Sequence, residues 1–110
     1  MNKPLTLTKP RDQELSDAVA TRLCGWERKD GKWVRDGMSW GWPPNFASDA
    51  NSAIDLFEQC GVAAAIAFVD GSWSVSLGAE PKEIACATDK SLPRAICIAI
   101  LKADGVEVYG

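Results

Sequence analysis

The feature that most constrains the fold is the alternation of side chains on both sides of Asp70-Gly71. With these two residues as a two-residue turn, residues 62–77 form a hairpin in which Phe68 pairs with Trp73. The large apolar face consists of Ala64, Ile66, Phe68, Trp73, Val75 and Leu77, and the small face of Ala65, Ala67, Val69, Ser72, Ser74 and Ser76. A slip of one residue would exchange the faces, so we expect a fixed register with the large face buried. The small face either lies partly under a helix, which we favour, or faces water.

A second hairpin is predicted around Asp30-Gly31, between two short strands rich in charge. In its register Arg28 lies opposite Trp33 and Trp26 opposite Arg35, and all four side chains share one face. Two interpretations stay open. The Arg stems could shield two half-buried rings, or the four residues could form an exposed face of the composition found in binding hot spots.

Two segments before residue 62 show the apolar spacing of a helix. The first begins near Asp12, which has the character of an N-cap, and ends before Gly25, where a positive φ is tolerated. The second begins at Ala47 or Ser48 and ends at Gly61. Its predicted apolar face consists of Ala50, Ala53, Ile54, Phe57 and Cys60.

The last third of the chain predicts another strand and a buried helix. Residues 83–87 can extend the second sheet, and residues 106–109 form either a short strand or a tail. The helix begins at Ser91 with Pro93 in its first turn, where the missing N–H costs little. Because residues 95–101 are apolar on all sides, we expect this helix to be buried.

These elements predict an α+β fold. Residues 1–10 lack periodicity and are expected to be a flexible N-terminal arm, followed by a single domain over residues 11–110. Residues 37–44 are expected to be irregular, since Pro43 and Pro44 remove two backbone donors. The order α-ββ-α-βββ-α predicts an antiparallel sheet layered with helices, as in an α/β/α sandwich.

The charged composition argues against several classes of function. Asp and Glu outnumber Lys and Arg by 15 to 12, the net charge is −3, and there is no His. We expect no direct nucleic-acid binding, because acidic residues interleave with the basic ones at residues 27–36. Without His or a nucleotide-binding motif, the sequence offers no catalytic residues, no metal ligands and no cofactor site.

The four cysteines, Cys24, Cys60, Cys86 and Cys97, lie in apolar runs without a C-x-x-C spacing. We expect four free thiols, at least three of them poorly accessible because they pack as small hydrophobes, in a reducing, cytoplasmic setting. Two disulfides in a secreted domain are the alternative, but residues 1–10 lack the apolar segment of a signal peptide. No run approaches 18 apolar residues, so nothing is expected to span a membrane.

Three motifs in order resemble the phage ABA sandwich domain family. They are Cys24-Gly25-Trp26 followed by Trp33, Pro43-Pro44-Asn45-Phe46 followed by Ser48-Asp49, and the apolar segment 93–102 preceded by Ala87-Thr88-Asp89, with Trp73 in a strand between the last two. The likeness spans residues 15–103. The resemblance implies an α/β/α sandwich in a phage or prophage protein, and it provides no catalytic residues to transfer.

Two non-enzymatic functions fit these expectations. The first is a phage accessory protein in the host cytoplasm that binds a host protein and could thereby inhibit a defence system. Its candidate contact residues are Trp26, Arg28, Trp33 and Arg35. The second is a module that sequesters a small molecule in a pocket lined by Trp40, Trp42 and Phe46. Neither requires a cofactor, and the protein is expected to be a monomer or a homodimer.

Overall fold

The computed structural model describes residues 6–29, 32–35, 38–41, 45–60, 64–78 and 85–109. The helices in these ranges are α1 (Asp12–Leu23), α2 (Ala50–Cys60) and α3 (Leu92–Ala103). The strands are β1 (Thr6–Thr8), β2 (Trp26–Lys29), β3 (Lys32–Arg35), β4 (Met38–Gly41), β5 (Ala64–Val69), β6 (Ser72–Leu77), β7 (Ala85–Asp89) and β8 (Glu107–Tyr109). The α+β architecture predicted from the sequence is confirmed, with β1, β4 and β8 as additions to the predicted order. For residues 106–109, the alternative of a short strand is the one that the structure has.

The strands form two antiparallel sheets and one parallel ribbon. The first sheet has the order β2-β3-β4 and the second the order β5-β6-β7. In the ribbon, β1 pairs with β8, so that Thr6 lies opposite Glu107 and Thr8 opposite Tyr109. The two ends of the described chain therefore meet in one element.

Two segments are more regular than their sequences indicate. Residues 6–8 of the expected flexible arm pair as β1, because Leu7 packs against the core and Pro10 is buried. Residues 38–41, expected to be irregular, pair as β4 with β3. The two prolines that suggested irregular backbone follow this strand, and Pro43 and Pro44 themselves lie outside the described residues.

Helix α3 lies at the centre of the core. It packs against β6 and β7 on one side and against α1 and α2 on another, which explains why its residues 95–101 are apolar all round. Ile96, Cys97 and Leu101 are fully buried and meet Val75 and Leu77 of β6 in one cluster. The predicted burial of this helix is confirmed.

The second sheet has the predicted register and a different burial. Phe68 pairs with Trp73 and Ile66 with Val75, as expected. Val75 and Leu77 are buried, but every residue of β5 is exposed, including Ile66 and Phe68. The expectation that the whole large face is buried is therefore wrong for β5, because α3 packs on β6 and β7.

The small-residue face of this sheet is open. Its β5 members and the β7 residues Cys86 and Thr88 are exposed, and its three serines are half-buried. No described helix covers this face, so the favoured partial cover is not found within the described residues. Strand β7 itself runs over Ala85–Asp89, two residues later than predicted at its start and end.

Helices α1 and α2 begin where side-chain oxygens accept hydrogen bonds from backbone N–H groups. Arg11 rather than Asp12 is the N-cap of α1, and its N–H donates to the Glu14 carboxylate at 3.3 Å. Helix α2 begins at Ala50 because Asp49 accepts from the Asn51 N–H at 3.0 Å. Gly25 has a φ of +75° after α1, as predicted.

The buried face of α2 is rotated relative to the predicted apolar face. Ala53 and Leu56 are buried and Phe57 is half-buried, whereas Ala50 and Ile54 are exposed. The side chain of Cys60 lies outside the described part. No helix within the described ranges is long and apolar enough to cross a membrane.

The three cysteines whose side chains are described differ in burial. Cys97 is fully buried, Cys24 is half-buried and Cys86 is exposed, and all three are thiols. Cys86 is exposed because it points from β7 to the open face of the second sheet. The expectation of at least three poorly accessible thiols stays a prediction, since the side chain of Cys60 lies outside the described part.

Candidate functional site

The charged hairpin β2–β3 has the predicted register. Arg28 lies opposite Trp33, and Trp26 lies opposite Arg35. Both rings are buried, with 6% of Trp26 and 4% of Trp33 exposed, and they meet edge to face with centroids 6.5 Å apart. The side chains of Arg28 and Arg35 lie outside the described part. The two rings therefore belong to the core and do not form an exposed face. That the Arg stems shield them stays a prediction.

The second candidate cluster does not form a pocket at its described member. Phe46 is only 3% exposed and belongs to the core. It lies in a turn held on α1, because the Ser16 hydroxyl donates to the Asn45 side chain and accepts from the Ala47 N–H, both at 3.0 Å. Trp42 and the side chain of Trp40 lie outside the described residues, so the structure provides no support for the Trp-lined pocket.

Strand β5 presents an apolar surface that was expected to be buried. Phe68 is 58% exposed, Val69 60% and Ile66 41%. The Phe68 ring lies against Trp73 of β6 with centroids 4.9 Å apart and planes tilted by 51°. Within the described residues β5 pairs only with β6, so its outer backbone edge has no strand partner there. We call Ile66, Phe68 and Trp73, which share one face of the sheet, the β5 surface; Val69 lies on the opposite, small-residue face.

Exposure of this strand has a physical consequence. A long apolar edge strand is a template for pairing with another chain, and proteins ordinarily protect such edges with charges, prolines or bulges. Residues 64–69 have the sequence Ala-Ala-Ile-Ala-Phe-Val, with no charge and no proline, and they pair with β6 without a bulge. The β5 surface therefore has the features of a contact surface that is unprotected in the isolated chain.

A cleft of about 350 Å³ lies elsewhere, between the β1–β8 ribbon, the end of β7 and helix α3. Its charged lining consists of Lys9, Asp89, Arg94 and Lys102, and its apolar floor includes Ile98 and Val108. None of the predicted binding residues lines this cleft. No sequence pattern predicts this cleft, because Lys9 is far along the chain from Arg94 and Lys102, and the three converge only in the fold.

Arg94 organises one side of the cleft through three contacts. Its Nη1 donates to Asp12 at 2.6 Å, its Nε to Asp89 at 3.3 Å and its Nη2 to the Pro10 carbonyl at 2.9 Å. Burial lowers the pKa of Arg94, and the bonds and charges of Asp12 and Asp89 outweigh this and raise it. The guanidinium thus stays charged and ties the N-terminal segment to α3.

The buried thiol near this network is unreactive by its environment. Burial raises the pKa of Cys97 to about 12, an effect that the nearby charge of Arg94 only partly offsets. The thiolate is the nucleophilic form of cysteine, so Cys97 is a packing residue at neutral pH. Among the described residues, no group of three or more acidic or cysteine side chains is placed to hold a metal ion.

Comparison with known proteins identifies a family and a similar fold. The family model of the phage ABA sandwich domain matches residues 17–101. The fold is similar to a crystal structure of a phage protein from Bacillus cereus ATCC 14579, with a TM-score of 0.75, 19% sequence identity and coverage of 89% of this chain and 91% of that one. At this identity the likeness shows the fold. No curated protein matches the sequence.

Proposed function

Because the chain belongs to the phage ABA sandwich domain family, we propose that it is a phage accessory protein that acts by binding a host protein, without catalysis. The observation that carries this proposal is the exposed, uncharged edge strand β5 with its aromatic pair Phe68 and Trp73. The lack of catalysis is supported by a sequence without His.

The binding mode that fits this surface is the addition of a strand. An extended segment of the partner pairs with the outer edge of β5, and main-chain hydrogen bonds provide affinity while side-chain contacts provide specificity. Phe68 and Trp73 supply the rigid aromatic area that dominates protein interfaces. Because residues 64–69 carry no charge, no ion needs to be desolvated when the partner segment docks.

The class of partner is the finer part of the proposal. We propose a cytoplasmic host protein and, within that class, a component of a defence system whose activity is blocked while the strand is occupied. Membership in a family of phage domains supports the first part. The blocking of a defence component is a hypothesis that rests on that membership and on no contact in the structure.

Capture of the partner from host lysate, followed by a matched pair of substitutions, tests this function. Ile66 of β5 and Ile54 of α2 are the same residue type with nearly equal exposure, 41% and 43%. We expect Ile66→Glu to abolish capture of a stoichiometric partner, because it places a charge in the docking surface. Ile54→Glu should retain the partner, and thermal melts should show both variants folded.

Two results would contradict the proposal. Capture that survives both Ile66→Glu and Phe68→Glu would show that the partner binds elsewhere. Recovery of no stoichiometric partner by the unmodified protein would remove the basis for a host-protein target altogether.

A further inference from the structure

The cleft between the β1–β8 ribbon and α3 has the size and lining of a ligand site. Its volume of about 350 Å³ lies within the range of small-molecule sites, which is roughly 300–1,000 Å³. Three of its lining residues, Lys9, Arg94 and Lys102, are cationic and one, Asp89, is acidic. This excess of positive charge occurs in a chain whose net charge is −3.

The positive charge that remains available belongs to the two lysines. Arg94 is occupied by Asp12, Asp89 and a carbonyl, and Asp89 is itself satisfied by Arg94 and by the Ser91 N–H at 2.9 Å. The Lys102 ammonium donates one bond, to the Cys86 carbonyl at 3.3 Å, and therefore has two donors left. The structure shows no bond from the Lys9 ammonium to any described residue.

The backbone at Lys9 is held in an unfavourable conformation at the rim of the cleft. Its φ is +44°, in the left-handed region that residues other than glycine rarely adopt. The conformation is fixed from both sides: the Lys9 N–H donates to the Tyr109 carbonyl at 2.6 Å, and the following Pro10 is buried and accepts from Arg94. Strain of this kind is characteristic of positions that hold a functional group in place.

We propose that this cleft binds a small organic anion, with a carboxylate or phosphate head group held by Lys9 and Lys102 and a short apolar body on Ile98 and Val108. Ion-paired hydrogen bonds to lysine provide the head-group contact. The half-buried side chains of Ile98 and Val108 give the body an apolar contact. This inference concerns a different surface from strand β5 and does not depend on the proposed protein partner.

Four probes with the same six-carbon body separate head-group chemistry from apolar contact. We expect hexyl phosphate and hexanoate to bind saturably in calorimetric titrations at low salt, and hexanol and hexylamine to show no saturable binding. Inorganic phosphate should bind more weakly than hexyl phosphate, since it makes no contact with the apolar floor. The ratio of the two anion affinities identifies the preferred head group.

Lysine substitutions locate the site. Lys9→Met and Lys102→Met should each weaken hexyl phosphate binding at least about tenfold, the usual effect of losing a charged hydrogen bond. Lys90→Met is the matched control, because Lys90 is an exposed lysine near the end of β7 that does not line the cleft. Thermal melts verify the fold of each variant, and the unmodified chain with its four probes serves if one variant fails to fold.

Each outcome of these titrations either supports the site or overturns it. Binding of an anion that is lost in Lys9→Met or Lys102→Met and kept in Lys90→Met supports the site. Equal binding of hexylamine, anion binding unchanged in both cleft variants, or no saturable binding of either anion at millimolar concentration overturns it.

Discussion

The hairpins β2–β3 and β5–β6 differ from what their sequences indicate in opposite directions. Strands β2 and β3 are rich in charge, yet Trp26 and Trp33 are buried within the core. Strand β5 is apolar throughout, yet it is exposed along its whole length. The difference lies in what packs against each hairpin. Helix α1 contacts β2, whereas α3 contacts β6 and β7, and no described helix makes comparable contact with β5.

Composition therefore indicates which side chains can be buried, and the neighbouring layer decides which of them are buried. A strand with charged residues can hold a Trp ring in the core, because alternate residues point to opposite faces: Trp26 is buried while its neighbour Glu27 is exposed. An apolar strand at the edge of a sheet can stay exposed when the helix layer ends before reaching it.

Trp33→Ala should lower the free energy of unfolding by about 3–5 kcal/mol, because it empties a buried aromatic site and removes the edge-to-face contact with Trp26. Urea unfolding measures the loss, and Trp33→Phe, which keeps a ring in place, should lose less. A folded variant of unchanged stability that no longer captures a partner would instead return the charged hairpin to the role of a binding surface.

The titration of the Cys97 thiol tests whether α3 is packed closely against the second sheet. Its pKa of about 12 lies above the ordinary value of 9.0, so between these pH values the unfolded chain loses a proton that the folded chain keeps. Stability from this group is complete below about pH 9 and falls by about 1.4 kcal/mol per pH unit above it.

The measurement is urea unfolding of the unmodified protein and of Cys97→Ala from pH 8 to pH 10.5. The stability difference between the two should shrink as the pH rises above 9. Cys86→Ala, which changes an exposed thiol on the open face, should follow the unmodified protein. An equal pH response in all three proteins would show that Cys97 is not shielded by its helix.

Phe68→Ala should change the free energy of unfolding by about 1 kcal/mol or less, since the ring is mostly exposed and loses only its contact with Trp73. The same denaturation experiment places it beside Trp33→Ala. A loss approaching that of Trp33 would mean that Phe68 is covered in solution, for example by a second copy of the chain, and size-exclusion chromatography would detect that copy.

We expect the protein not to bind nucleic acid directly. Acidic and basic residues interleave in the sequence of residues 27–36, and the whole chain has more acidic than basic residues, so few phosphates can be neutralised. Affinity should be on the order of 10⁻⁴ M or weaker at physiological salt. Duplex and single-stranded probes at low salt should show no saturable shift below tens of micromolar. Tight, salt-sensitive binding would make the charged hairpin a nucleic-acid site.

The sequence pattern correctly predicted the features that depend on residues close together in the chain. The registers of both long hairpins follow from their two-residue turns and alternation, and the helix at residues 92–103 follows from its apolar run and early proline. The family resemblance carried by the Trp, Pro-Pro and apolar-helix motifs agrees with the match over residues 17–101. These features depend on neighbours in sequence.

Contacts between distant segments could not be predicted in this way. The β1–β8 pairing joins two short strands, neither of which has a strong strand signal. The exposure of β5 depends on where α3 ends its contact with the sheet. The cleft depends on Lys9, Arg94 and Lys102 arriving at one place from separate elements. Alternation gives no information about which strand will lie at an edge.

The parallel β1–β8 ribbon also has a consequence for how the chain is made. Thr6 and Glu107 are 101 residues apart, so at ordinary rates of translation β1 leaves the ribosome about 5–20 s before its partner strand exists. For most of that interval Arg94, which holds Pro10, has yet to be synthesised, and Leu7 has no β8 beside it. The first of the described strands is thus among the last to gain its partner.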